Sequence, residues 1–170
     1  MLALALVVGL SACRASPTAP RQLPGGTYTN ARFHFTINYP TGWQVNVQPQ
    51  SSAFAPLSLS ITRSGELKSN GSLVSTFGVT IYNATDPTLA ASIAKMKTDK
   101  TLHATTIAGL PGYQATPVAR QLPGSQSTVT HTEYYVVHGT YEYQLSTDAV
   151  QGDNADDALA GMLKSFSITP

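Results

Sequence analysis

Side chains able to do acid–base or ligand chemistry are sparse in this sequence. Four histidines, His34, His103, His131 and His138, fall on separate expected strands or turns, and no two share the close helical spacing of a metal site. A shared metal or proton-transfer site would need the fold to bring two of them together with Asp148 or Glu133. The candidate binding groove is set by His131, Tyr135 and Asp148, where an imidazole, a phenol and a carboxylate can meet a small ligand or a divalent cation. The run from Asp148 to Asp157 also holds Asp153, Asp156 and Gly152, which invites a calcium loop. It fails on spacing: counted from Asp148, Val150 and Gly152 occupy the third and fifth places, where oxygen ligands are required. Nucleophile elbow, phosphate loop, HExxH and dinucleotide-binding glycine patterns are all missing. The sequence therefore gives no reason to expect a catalytic residue, a bound metal or a cofactor, and the expected role is non-catalytic.

The remaining chemistry belongs to Cys13, the single cysteine of the chain. It follows an apolar run, Met1 to Leu10, too short to span a bilayer but long enough for the core of a signal peptide. Leu10-Ser11-Ala12-Cys13 resembles the bacterial lipobox: a branched apolar residue, two small ones, then the cysteine that is acylated and becomes the first residue after cleavage. No Lys or Arg precedes the apolar run, a departure from the usual leader. The expectation is a lipoprotein signal peptide over residues 1–12, lipidation at Cys13 and attachment to membrane lipid by two or three acyl chains, which one chain alone would not secure. With Cys13 so used, no cysteine is left for a disulfide, a thiolate metal site or a nucleophile.

A length of 170 residues suits one domain. Only 11% of residues are charged and the formal net charge is +1, so the chain lacks the basic footprint of a nucleic-acid binder. Residues 13–26 carry three prolines and no apolar period, which reads as a flexible tether reaching on the order of 20 Å.

From Thr27 onward the spacing predicts the elements that must hold any site. Phe33, Phe35, Ile37 and Tyr39 alternate with His34, Thr36 and Asn38, a half-buried strand ended by Pro40. Trp43, Val45 and Val47 predict a second strand, Leu57, Leu59 and Ile61 a third, and Phe77, Val79 and Ile81 a fourth. Asp86-Pro87 caps a helix running to about Asp99, with Leu89, Ile93 and Met96 on one face and Lys95, Lys97 and Lys100 on the other. Leu102 to Ile107 and Tyr113 to Ala119 are expected strands separated by Gly109 to Gly112, with Arg120 to Ser127 a loop. In Val129 to Thr147 a two-residue turn at His138-Gly139 pairs Val136 with Tyr141, Tyr134 with Tyr143 and Thr132 with Leu145, separating an apolar face from a polar one. Leu159, Met162, Leu163 and Phe166 predict a final amphipathic helix with Asp153 as its cap. The pattern is α+β: an antiparallel β-sheet sandwiched between helices.

Two stretches carry a family resemblance. Phe33 to Trp43, reading FHFTINYPTGW, resembles the opening of PsbP-like domains, in which an aromatic strand runs into Tyr-Pro-x-Gly-Trp, and Ser165-Phe166 resembles their ending after the last helix. The resemblance covers Thr27 to Thr169 and implies the PsbP fold, with residues 27–170 as the expected globular domain. It also implies a choice of roles, because PsbP steadies the oxygen-evolving site of photosystem II while a distant relative binds the GTPase Ran. The lysine-rich extension by which plant PsbP docks is not seen here. The expected function is a lipid-anchored lipoprotein outside the cytoplasmic membrane that binds or stabilises a membrane-associated protein assembly. The alternatives are a small-ligand or divalent-cation carrier, and, further off, an enzyme.

Overall fold

The computed structural model describes residues 25–48, 55–63, 74–98, 100–121 and 127–169. The elements in chain order are β1 (Gly26–Asn30), β2 (Phe35–Tyr39), β3 (Trp43–Gln48), β4 (Leu57–Arg63), β5 (Thr76–Asn83), α1 (Pro87–Thr98), β6 (Leu102–Ile107), β7 (Leu110–Ala115), β8 (Val118–Gln121), β9 (Thr128–His138), β10 (Tyr141–Val150), α2 (Asp156–Ser165) and β11 (Ser167–Ile168). The fold is the expected α+β arrangement: an eight-stranded antiparallel sheet in the order β3-β4-β5-β10-β9-β7-β6, with β8 also on β9, and a small β1-β2-β11 sheet. Among the described residues no helix is long and apolar enough to cross a membrane.

Strict alternation divides the large sheet into two faces. The inner face carries Val45, Leu57, Leu59, Ile61, Phe77, Val79, Ile81, Val136, Tyr143 and Leu145, all buried. Phe35, Ile37 and Tyr39 of β2 and Leu159, Met162 and Phe166 of α2 join them in one core. Their large apolar area removed from water is the main drive for the layers to close. The outer face is hydroxyl- and amide-rich, with Asn46 and Ser60, Ser58 and Thr80, and Gln144 and Tyr135 as cross-strand neighbours. Helix α1 serves that side, its Lys97 Nζ standing 4.3 Å from the ring centroid of Tyr113.

The quoted motifs are structural joints. Trp43 N–H donates to the Pro40 carbonyl at 3.1 Å, and Gly42, at φ +82°, fills the left-handed place of the turn. Ser165 Oγ accepts from Asn38 N–H at 3.0 Å and donates to the Asn38 carbonyl at 3.1 Å, stitching the end of α2 to β2. Phe166 then enters an aromatic group with Phe35 and Tyr143, its centroids 5.6 and 6.0 Å away.

Several boundaries differ from expectation. Gly26, assigned to the tether, begins β1. His34 does not lie on a strand but in the turn before β2, at φ +50°. The turn between β6 and β7 is only Ala108-Gly109, so Leu110, Pro111 and Gly112 belong to β7. The expected strand Tyr113 to Ala119 is broken in two. Gln114 stands opposite Tyr134 and Val118 opposite His131, so residues 115–117 face only 132–133, a bulge of one extra residue at Thr116-Pro117. Arg120 and Gln121 lie in β8 rather than in a loop. Asp86 does cap α1, its Oδ1 accepting from Leu89 N–H at 3.2 Å. Asp153 does not cap α2: Ala155 occupies that place, and Asp153 Oδ1 accepts the Ala155 N–H from outside the helix.

Candidate functional site

The hairpin of β9 and β10 positions every candidate side chain. Its turn is Gly139-Thr140, so Tyr141 pairs with His138, Tyr143 with Val136, Leu145 with Tyr134 and Thr147 with Thr132. The expected turn at His138-Gly139 was one residue early, and each partner therefore moves by two positions. A shift of two returns every side chain to the same face, so the separation of faces survives the change of register.

On the outer face His131 stands opposite Asp148, Glu133 opposite Ser146, and Tyr135 opposite Gln144. His131 Nδ1 lies 2.7 Å from Asp148 Oδ1, and its Nε2 lies 3.2 Å from Glu133 Oε1. Glu133 also accepts from Gln144 Nε2 at 2.8 Å and from the Tyr135 hydroxyl. The three sequence-selected residues thus sit in one chain of hydrogen bonds, with Tyr135 joined to His131 and Asp148 through Glu133. Burial pulls the His131 pKa down, but hydrogen bonds and charge from Asp148 and Glu133 more than offset it, and the net shift is upward. Burial, reinforced by Glu133, raises Tyr135. Glu142, 2% exposed, has an Oε1 with no hydrogen-bond partner, and burial raises its carboxyl to about 7. Tyr82, its neighbour on β5, is raised by burial and by Glu133 and Glu142.

The groove between sheet and helix is on the other side of the hairpin. A cavity of about 580 Å³ opens between α2 and the inner face, lined by Thr128, Thr130, Thr132, Tyr134, Thr147 and Ala149 from the strands and by Asp156, Leu159, Ala160 and Leu163 from the helix. His131, Tyr135 and Asp148 do not line it, because residues one apart on a strand point to opposite faces. The five hydroxyls on the groove wall make no hydrogen bond to another described residue. Thr128, Thr130, Thr132 and Tyr134 alternate along β9, and that TxTxTxY spacing was the signal available in the sequence. Gln144 and Glu142 were also legible, since both share Tyr135's parity in either register.

The remaining candidates are dispersed. His103 Nε2 lies 3.1 Å from Thr116 Oγ1, and His138 is exposed at the end of β9. Among the described residues no group of three His, Cys, Asp or Glu side chains is arranged to hold a metal. Cys13, with the leader and most of the tether, lies outside the described residues.

No family model matches the chain, and no curated protein matches it in sequence. Solved structures do. A crystal structure from Bacteroides thetaiotaomicron superposes with a TM-score of 0.59 at 13% identity over 87% of this chain, which spans half the length of that protein. LpqN of Mycobacterium tuberculosis, described as involved in cell envelope biogenesis, gives 0.51 at 18% identity, covering 88% of this chain and 90% of LpqN. Cyanobacterial PsbP (CyanoP) from Synechocystis gives 0.51 at 12% identity, covering 94% of this chain and 98% of that one. The chain has the PsbP-like fold.

Proposed function

We propose that this chain is a lipid-anchored, non-catalytic lipoprotein whose PsbP-like domain stands on the extracytoplasmic face of a bacterial membrane and binds or steadies a membrane-associated protein assembly. The observation that carries the reading is the near full-length likeness to LpqN, a cell-envelope biogenesis protein, and to cyanobacterial PsbP. The lipobox-like Leu10 to Cys13 supplies the anchor. Since fold alone does not fix function, the reading rests on its test. Cells producing the chain with Cys13→Ala are expected to lose acyl incorporation at this protein and to release it from the membrane fraction. In-cell crosslinking is expected to give one stoichiometric partner in the anchored form that is lost in the variant. A leader-cleaved Cys13→Ala chain that stays on the membrane overturns the anchor.

A second reading, carriage of a small uncharged ligand, is favoured by the groove under α2, whose volume falls in the range of small-molecule sites. Native mass spectrometry of the purified chain tests it. A copurifying mass that disappears in Ala160→Trp, which fills the groove, supports the carrier, and bare protein in both forms removes it.

A further inference from the structure

His131 of the outer face is held between two carboxylates on two strands: Asp148 of β10 at Nδ1 and Glu133 of β9 at Nε2. A neutral imidazole has a single N–H and can donate to only one of them, whereas the imidazolium donates to both. We propose that His131 is a proton-operated clasp on the β9–β10 hairpin. Protonated, it ties Asp148 to Glu133 and steadies the β8 edge, whose Val118 pairs with His131; deprotonated, it holds only one of the two carboxylates and loosens that edge.

The charges around the clasp are few. Arg120 of β8 shares this face two residues beyond Val118, Asp148 and Glu142 come from β10, Glu133 and Tyr135 from β9, and Tyr82 from β5. Lys97 of α1 is engaged with the Tyr113 ring on the neighbouring strand β7. Only His131 among these changes from cation to neutral in the mildly acidic to neutral range without leaving its partners' reach. The contacts are also asymmetric in what they release. Glu133 keeps Gln144 and Tyr135 as donors after the proton leaves, while no other described side chain is hydrogen-bonded to the Asp148 carboxylate. The single N–H of the neutral ring is therefore kept by Asp148, at 2.7 Å and with no other described donor, and the clasp opens first at the 3.2 Å contact to Glu133, which stands opposite the Thr116-Pro117 bulge where β8 begins.

NMR of the full chain labelled at histidine nitrogen, with hydrogen exchange followed peptide by peptide, tests the clasp. His131 is expected to show both ring nitrogens protonated on the acid side of a midpoint that lies above the ordinary 6.5. Asp148→Asn and Glu133→Gln, each close to isosteric, are each expected to weaken its proton binding about tenfold. Exchange in Val118 to Gln121, followed in a Glu142→Gln background that removes the other group titrating in this range and corrected for its intrinsic pH dependence, is expected to quicken as pH passes the midpoint when His131 is present and to be flat when His131→Gln is added. A midpoint at or below 6.5, no movement in either carboxylate variant, or the same pH-dependent quickening in His131→Gln overturns the proposal.

Discussion

Glu142 is the residue whose chemistry is most at odds with its surroundings. Its carboxyl is 2% exposed, opposite Val137 on β9 and Tyr82 on β5, and burial lifts it from an ordinary 4.5 to about 7. Between those two values the folded chain holds a proton that the unfolded chain has lost, so stability falls as pH rises from about 4.5 to 7, by on the order of 3 kcal/mol. His131 acts in the same direction: its raised pKa contributes stability fully below about 6.5, lost as pH rises through the folded value. The thermal midpoint is therefore expected to drop between pH 5 and pH 8. Glu142→Gln is expected to remove most of that slope and to be more stable than the parent at pH 8, as a set of calorimetric scans would show. Tyr143 gives a second test at this scale. Its buried hydroxyl donates to the Phe33 carbonyl at 2.9 Å, and Tyr143→Phe leaves that carbonyl unpaired at a cost of about 1–3 kcal/mol, readable as a lower denaturation midpoint. Neither effect was legible in the sequence. Parity told which face each side chain takes, but burial on a nominally polar face depends on what covers it, and no local pattern encodes that.

Among the elements, the hairpin shows what sequence patterning can and cannot fix. Alternation of Thr132, Tyr134 and Val136 with His131, Glu133 and Tyr135 determined the faces, since any even shift preserves them. Turn position was not determined, because Gly139 can serve either as second or as first residue of a two-residue turn, and the chain uses it as first, at φ +60°. The stretch that forms β7 and β8 escaped for another reason. Pro111 and Gly112 read as turn residues, yet Gly112 is a strand residue because the neighbouring backbone comes close. A Cβ there would lie 2.7 Å from the Tyr135 carbonyl oxygen and 2.9 Å from Ile107 Cδ1. Gly112→Ala is accordingly expected to cost about 1–3 kcal/mol in urea unfolding, since relief requires the β7–β9 pairing to open. Arg63 ties β4 to the connection between β10 and α2. It donates to the Asp153 carbonyl at 2.8 Å and the Asn154 carbonyl at 3.3 Å while its guanidinium lies 5.7 Å from the Trp43 ring centroid. Arg63→Ala is expected to lower stability by about 1–3 kcal/mol and to shift the emission of Trp43, the sole tryptophan, through the lost cation.

In the whole molecule, the fold class and most strands were legible because the core-facing positions repeat every second residue over long runs. The short β1 and β11 were not, since five and two residues without an apolar alternation carry no periodic signal. Closure depends on the place where both sheets and α2 meet, around Phe35, Tyr143 and Phe166. Phe166→Ala is expected to cost about 3–5 kcal/mol by opening a cavity there, and a denaturation midpoint would register it. The order β1-β2-β11 also bears on how the domain carries load. Gly26 pairs with Tyr39 at one end of β2, and Ile168 pairs with Phe35 at the other. Tension applied between the two chain ends therefore pulls β1 and β11 lengthwise along β2 in opposite senses. Their cross-strand bonds, perpendicular to the strands, are strained together in shear instead of being peeled one after another. A domain held at its N-terminal side and tugged at its C-terminal side would resist as a mechanical clamp, with the three-stranded sheet as the part that takes the load first.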